Sequence, residues 1–276
     1  MENTDIRIRG LCEALSDREK SLNIAEHFIK QTIKKEAEEL TGDELKIYSF
    51  MCHSLLKENI KLICDNSESV IERIFLNSLA FVFITQKPLG LFVTPPFHDA
   101  PARIKLFREN YKGFLAFWTH YQKMSGNKSA KGFTEFLDTL VQNGEMTVAE
   151  NQDLNHYLLM HGLEFFNAFH LTPQAGLPDI KVDGKAIRAD MLIWIPNNEE
   201  FKLVVECDGF EFHSSKESFI ADRKRERILR ASGYDTLRYA GSEIYNDPVG
   251  TSSDLFEYLH NTVANSRNAP QVQNMV

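Results

Sequence analysis

Apolar residues at Leu11, Leu15, Leu22, Ile24, Phe28, Ile29 and Ile33 recur at roughly helical intervals. The run Lys34-Lys35-Glu36-Ala37-Glu38-Glu39-Leu40 consists of strong helix formers. Thr41-Gly42-Asp43 breaks this pattern, and a second helix is predicted over Glu44 to Ile60. A third opens near Ser69 and runs through Ile71, Ile74, Phe75, Leu79 and Phe83. From Gln86 to about Phe169 the character changes. Pro88, Pro95, Pro96 and Pro101 mark irregular chain, and helices follow around Ile104–Lys123, Gly132–Gln142 and Thr147–Phe166. The aromatic-rich segment from Tyr111 to Tyr121 is read as core and is assigned no chemistry.

The final third switches to strand signals. Ile180-Lys181-Val182 and Lys185-Ala186-Ile187 flank Asp183-Gly184, a dipeptide favoured in tight hairpins. Asp190-Met191-Leu192-Ile193-Trp194-Ile195 and Phe201-Lys202-Leu203-Val204-Val205-Glu206-Cys207-Asp208 are nearly continuous apolar runs, as buried strands are. Ser218 to Ser232 reads as a helix stopped by Gly233, and Thr236-Leu237-Arg238-Tyr239 as a last strand. The fold class is therefore α/β. An N-terminal helical region covers residues 1–66, a core is formed by 67–85 with 170–262, and a helical insert spans 86–169. Residues 263–276 are expected to form a disordered tail.

Composition narrows the class. The chain has 276 residues, 43% hydrophobic and 25% charged, enough to bury a full core. No apolar run approaches the ~20 residues needed to span a bilayer, and Met1-Glu2-Asn3-Thr4-Asp5 lacks a signal-peptide pattern. Cys12, Cys52, Cys64 and Cys207 are scattered without CxxC spacing, which argues against a disulfide framework and against a cysteine zinc site. A reducing cytoplasm is the simplest location. The net charge of −8 is awkward for a nucleic-acid enzyme. Local clustering matters more than the sum, however, and the basic run Arg223-Lys224-Arg225-Glu226-Arg227 follows closely on a group of carboxylates. GxxxxGK[ST], GxGxxG and HExxH are all absent, which removes support for NTP hydrolysis, dinucleotide binding and zinc proteolysis.

Those carboxylates carry the candidate chemistry. Asp190 and Glu206 stand within or at the edge of the two apolar strand runs. If the Asn197-Asn198 loop makes the runs an antiparallel hairpin centred on Asn198, the two acids lie directly opposite and share a face, with Cβ atoms about 5 Å apart. Carboxylates that close repel unless a cation sits between them, and oxygen-only ligands suit Mg²⁺. Asp208, two residues beyond Glu206, projects from the same face. Either acid alone could simply be solvated at a strand end; the pair in register favours a hard-metal site.

The stretch Ile187-Arg188-Ala189-Asp190 followed by Leu203-Val204-Val205-Glu206-Cys207-Asp208-Gly209 resembles the core of the PD-(D/E)XK nuclease superfamily. The predicted element order matches its αβββαβ restriction-endonuclease-like core, here with N-terminal helices and a helical insert. Asp208-Gly209-Phe210-Glu211-Phe212-His213, with Asp222, Arg225, Leu229, Gly233 and Arg238 at matching spacing, is closest to the branch of the very-short-patch mismatch-repair endonuclease and its relatives. The resemblance covers about Leu171 to Ile244 and the helix bearing Glu72. It implies a metal-dependent DNA endonuclease using Mg²⁺ or Mn²⁺. Asp190 and Glu206 would be metal ligands, and the backbone carbonyl of Cys207 a further one.

At the position where this superfamily usually carries Lys, Asp208 stands instead, so water activation must differ. Lys224 could supply a migrated ammonium, and His213 could act as base; His213 is equally readable as a plain packing or surface residue. Glu72 has two readings, a capping-box partner of Ser69 or a ligand for metal-bound water. Arg223, Lys224, Arg225 and Arg227 form either a solvated helix face or a phosphate-contacting one. Cys207 reads as a buried strand residue rather than a nucleophile. The alternative function is a catalytically silent, nuclease-like DNA-binding or assembly module. The implied partner is DNA, with no membrane, and the helical regions are left for a protein partner or self-association.

Overall fold

The computed structural model describes residues 2–40, 42–208 and 216–268. The helices α1 (Glu2–Ser16), α2 (Arg18–Glu36), α3 (Gly42–Asn66) and α4 (Val70–Gln86) lead to a short strand β1 (Leu91–Val93). The insert follows as α5 (Ala100–Ser125), α6 (Ala130–Gln142) and α7 (Val148–Gly162). Then come β2 (Phe169–Val182), β3 (Lys185–Ile195), β4 (Asn198–Asp208), α8 (Lys216–Ala231), β5 (Asp235–Ala240), α9 (Gly241–Asn246) and α10 (Pro248–Asn268).

Local chemistry accounts for most boundaries. Asp17, Ser69, Asp99 and Ser129 cap α2, α4, α5 and α6 by accepting a first-turn N–H. Thr147 and Glu150 form a reciprocal capping box on α7. Gly126 ends α5 in the left-handed region at φ 66°. The β2–β3 hairpin turns on Asp183 and Gly184, with φ of 51° and 80°, the paired left-handed conformation that a two-residue turn between twisted strands requires.

The sheet order is β1-β2-β3-β4-β5, with β2, β3 and β4 antiparallel and the two outer strands parallel to their neighbours. Alternation along β3 and β4 separates two cores. Met191, Ile193, Leu203 and Val205 face the N-terminal helices and α10, while Leu192, Trp194 and Val204 pack with Leu229 of α8 and Ile104 of α5. Helix α4 is apolar nearly all round because it is enclosed: α1, α2, α3, α9 and α10 surround it. Its contact with the sheet includes Phe75 on Tyr239 and Phe83 on Phe169, with centroids 5.0 and 5.9 Å apart. A third core lies within the insert, where Tyr111, Phe114 and Tyr121 meet Phe133, Leu137 and Phe166. Arg108 of α5 ties the insert to the sheet by donating to the carbonyls of Ile195, Pro196 and Asn198, each at 2.9 Å.

The structure departs from the sequence expectations at several places. Strand β1 falls in chain expected to be irregular. Three apolar residues are too few to show a period, and the pairing comes from tertiary packing: buried Asn59 of α3 donates to the Leu91 carbonyl at 3.0 Å and accepts from Val93 N–H at 2.9 Å. Helix α7 stops at Gly162 rather than Phe166, since Glu164 takes a left-handed φ of 55° before a 3-10 turn at Phe165–Asn167. Residues 263–268, expected in the tail, continue α10. Among the described residues no helix is long and apolar enough to cross a membrane.

Candidate active site

The β3–β4 ladder pairs Leu192 with Val204 and Met191 with Val205, so the next step of the same register sets Asp190 opposite Glu206. The turn itself differs from the expected one. It is Pro196-Asn197, followed by an irregularity in β4 between Asn198 and Lys202 that restores the register centred on Asn198. Asn198 Oδ1 holds this irregularity by accepting from Glu200 N–H and Phe201 N–H at 3.1 and 3.2 Å.

Beyond Met191–Val205 the ladder stops. There the Asp190 carboxylate accepts the N–H of Cys207 at 2.9 Å, a side chain taking a backbone donor the sheet leaves unpaired. On the other flank, Pro173–Met191 and Ala175–Ala189 bracket Gln174, which therefore lies across from Asp190 although no ladder pair joins them. Glu206 is paired with Arg238 of β5. Gln174, Asp190, Glu206 and Arg238 thus form one row across four strands, and the backbone pairing is interrupted on both sides of Asp190.

Glu72 reaches this row from α4. The residue is 6% exposed, and its carboxylate accepts from Gln174 Nε2 at 2.8 Å and from Glu68 N–H at 3.1 Å. Ser69 Oγ caps the Glu72 N–H at 3.1 Å, but the return bond of a capping box goes to Glu68 rather than to Ser69. The capping box is therefore not formed, and Glu72 presents a buried carboxylate at the row.

Burial sets the electrostatics. It raises the Glu72 carboxyl above the ordinary range, and the charge of Asp190 adds to this. Asp190 is also raised by burial, against the pull of the Cys207 N–H and of Arg225. Glu206 is pushed up to about 7, chiefly by burial, with Arg225 lowering it and Asp190 raising it. The Cys207 thiol is raised well above its usual value, chiefly by burial, which does not suit a nucleophile, although the residue is half-buried in β4 rather than fully buried as expected.

Arginines meet the acids. Arg225 of α8 pairs with Glu206 at 2.7 Å and donates to the Arg188 carbonyl at the same distance. Arg238 grips Asp208 with two bonds of 2.9 and 2.6 Å and lies 3.4 Å from Asp222. Asp208, Asp222, Arg223, Glu226 and Arg238 line a cleft of 390 Å³ beside the row. Lys224 is not brought to Asp190 or Glu206; it pairs with Asp183 in the hairpin turn. Arg223 pairs with Glu226 at 2.8 Å, and Arg227 is exposed. His213 lies outside the described residues.

Sequence reasoning missed Gln174. It sits at φ 49° where Gly, Asn or Asp would ordinarily signal a left-handed position, so no local signature was available.

The donor set bears on the implied cation. Among the described residues no group of three or more His, Cys, Asp or Glu side chains surrounds one point. Asp190 and Glu206, with the Cys207 carbonyl at the open end of the ladder, are oxygen donors only. Mg²⁺ takes such a set with one or two carboxylates while keeping several waters, so the residues fit that ion in kind.

Comparison with known proteins gives a coarse identity. No curated protein and no solved structure matches the chain. The model of a restriction-endonuclease-like family, REase_MTES_1575, matches residues 174–259 and supports placing that part of the chain, from Gln174 of the row into α10, in the restriction-endonuclease-like superfamily.

Proposed function

We propose that this protein is a divalent-metal-dependent endonuclease that hydrolyses phosphodiester bonds in DNA. The observation that carries the reading is the row: Asp190 and Glu206 fall opposite each other at an interrupted ladder, inside the segment matched by the restriction-endonuclease-like family. Asp190, Glu206 and the Cys207 carbonyl would hold Mg²⁺ or Mn²⁺. Bound there, the ion would supply a water of lowered pKa and charge stabilisation for the pentacoordinate phosphorus.

The chain's own groups do the rest. Cys207 N–H fixes the Asp190 carboxylate, so one of its oxygens keeps a set direction. Glu72 presents an acceptor that can orient a water at the row. Arg225, the guanidinium beside Glu206, would meet a phosphate oxygen at the row. Asp208 is committed to Arg238 and stands where the superfamily usually has Lys, and Lys224 is drawn away to Asp183, so the proton of the attacking water is assigned to His213, in keeping with the mismatch-repair branch. The basic face of Arg223, Lys224, Arg225 and Arg227 would position the DNA backbone without reading bases.

A second reading is favoured by a specific observation. Arg225 pairs with Glu206 and Arg238 with Asp208, so both acids have a protein counter-charge, as in a catalytically silent DNA-binding or assembly module. Incubation of the purified protein with labelled duplex, single-stranded, mismatched and flap DNA in Mn²⁺ and in EDTA separates the two. Metal-dependent cleavage supports the nuclease, whereas DNA binding in EDTA without cleavage in any metal supports the silent module.

A further inference from the structure

We infer that Gln174 is a positioning residue of the nuclease site, held in a left-handed backbone conformation so that its amide fixes the Glu72 carboxylate at the Asp190–Glu206 row. The inference rests on the nuclease reading and deepens it.

The backbone is the first ground. Among the described residues four non-glycine positions have positive φ: Leu89, Glu164, Gln174 and Asp183. Leu89 follows the end of α4, Glu164 follows α7, and Asp183 forms the hairpin turn, all places where the chain must reverse or leave a helix. Gln174, at φ 49°, is within a strand. It does not absorb an inserted residue either, because Pro173–Met191 and Ala175–Ala189 keep the same register on both sides of it. No turn and no inserted residue is present; the conformation reverses the facing of the strand at this one position. Backbone outliers of this kind persist where the surrounding structure over-determines them, and they cluster at functional sites.

The side chain is the second ground. Thr172, two residues earlier, accepts from Trp194 Nε1 at 3.1 Å and so faces the core beneath α8 and α5. Ala175 and Leu177, just beyond Gln174, belong to that same core, so the strand changes face at Gln174 and the left-handed φ is where it does so. Gln174 itself falls on the opposite face, where its Nε2 donates to Glu72 Oε2 at 2.8 Å on α4. Glu72 cannot hold that pose through the helix start alone, since its carboxylate retains only the Glu68 N–H otherwise.

The test uses Gln174→Asn and Gln174→Gly in the full-length protein. Both replacements accept a left-handed φ, and neither reaches Glu72. The readouts are the thermal midpoint in EDTA, Mn²⁺ affinity by calorimetry, and single-turnover cleavage at saturating DNA. The expected result is a midpoint no lower than about 2 °C below wild type, Mn²⁺ binding weakened roughly tenfold or more as for loss of a group that orients a ligand shell, and cleavage slowed by at least about tenfold. Glu72→Gln should weaken Mn²⁺ binding to a similar degree. Unchanged Mn²⁺ affinity in both Gln174 variants overturns the inference and leaves the nuclease reading standing. So does a large loss of midpoint in both, which would mark Gln174 as a fold residue. Wild type that neither binds Mn²⁺ nor cuts DNA overturns both.

Discussion

His170 lies against the wall between the sheet and the insert and is 1% exposed. Its ring is stacked on Phe92 at 5.5 Å and meets Phe165 at 4.3 Å and Trp194 at 4.6 Å. Nε2 lies 3.0 Å from the Phe165 carbonyl, which can only accept, so Nε2 carries the proton and Nδ1 is bare. Burial pulls the pKa from 6.5 down to about 4, opposed only by that carbonyl, and no charged side chain contributes. Between those values the unfolded chain binds a proton that the folded one refuses. Stability is therefore full above about pH 6.5 and falls as the pH drops toward 4. The gap amounts to about 3 kcal/mol once both values are passed and to roughly 2 kcal/mol at pH 5. Urea unfolding of wild type and His170→Phe at pH 7 and pH 5 isolates the effect, because acid acts on all other groups alike. Wild type should lose about 2 kcal/mol more than the variant over that interval. Equal losses would show that His170 is protonated inside the fold and would refute the argument from its aromatic surroundings.

Three further outcomes follow from named contacts. Arg225→Leu leaves Glu206 without its 2.7 Å partner and should lower stability in EDTA by about 1–3 kcal/mol. Mn²⁺ should restore most of that loss in thermal melts, since a cation then replaces the guanidinium; no rescue by Mn²⁺ would argue against a cation at Glu206. Asn59→Leu orphans the buried Leu91 carbonyl and Val93 N–H, and should cost about 2–4 kcal/mol in urea unfolding. Lys224→Ala with Arg227→Ala should weaken DNA binding and flatten its salt dependence by roughly one unit per lost phosphate contact, measured by fluorescence anisotropy over a salt series. An unchanged slope returns this helix to a solvated face.

Much of the fold was legible because its signals are local. Apolar runs marked β3, β4 and the last three residues of β2, Asp183-Gly184 marked the hairpin, and Ser69 marked the start of α4. The register of Asp190 and Glu206 was legible for a different reason. Two apolar runs joined by a short connection must pair as a hairpin, and centring it on Asn198 sets Asp190 opposite Glu206. The parts that stayed hidden depend on distant partners. Strand β1 exists because Asn59 and β2 complete its hydrogen bonds. Gln174 finds its side-chain partner in Glu72, 102 residues away in sequence. Helix α8 reads as one basic stripe, yet its cations divide: Arg225 turns inward to Glu206, while Lys224 turns to the hairpin. Charge pattern alone carries no information about that division, because the acids that decide it lie on other elements.

The central claim is that Asp190 anchors a metal-dependent phosphodiesterase site. Its most direct test is single-turnover cleavage of labelled DNA by wild type and Asp190→Ala, each in Mn²⁺ and in excess EDTA, with circular dichroism confirming that both are folded. The account predicts cleavage by wild type in Mn²⁺, none in EDTA, and a loss of at least about three orders of magnitude in the variant, or roughly 4 kcal/mol of barrier. Cleavage by Asp190→Ala within a few-fold of wild type, or undiminished cutting in EDTA, would contradict it.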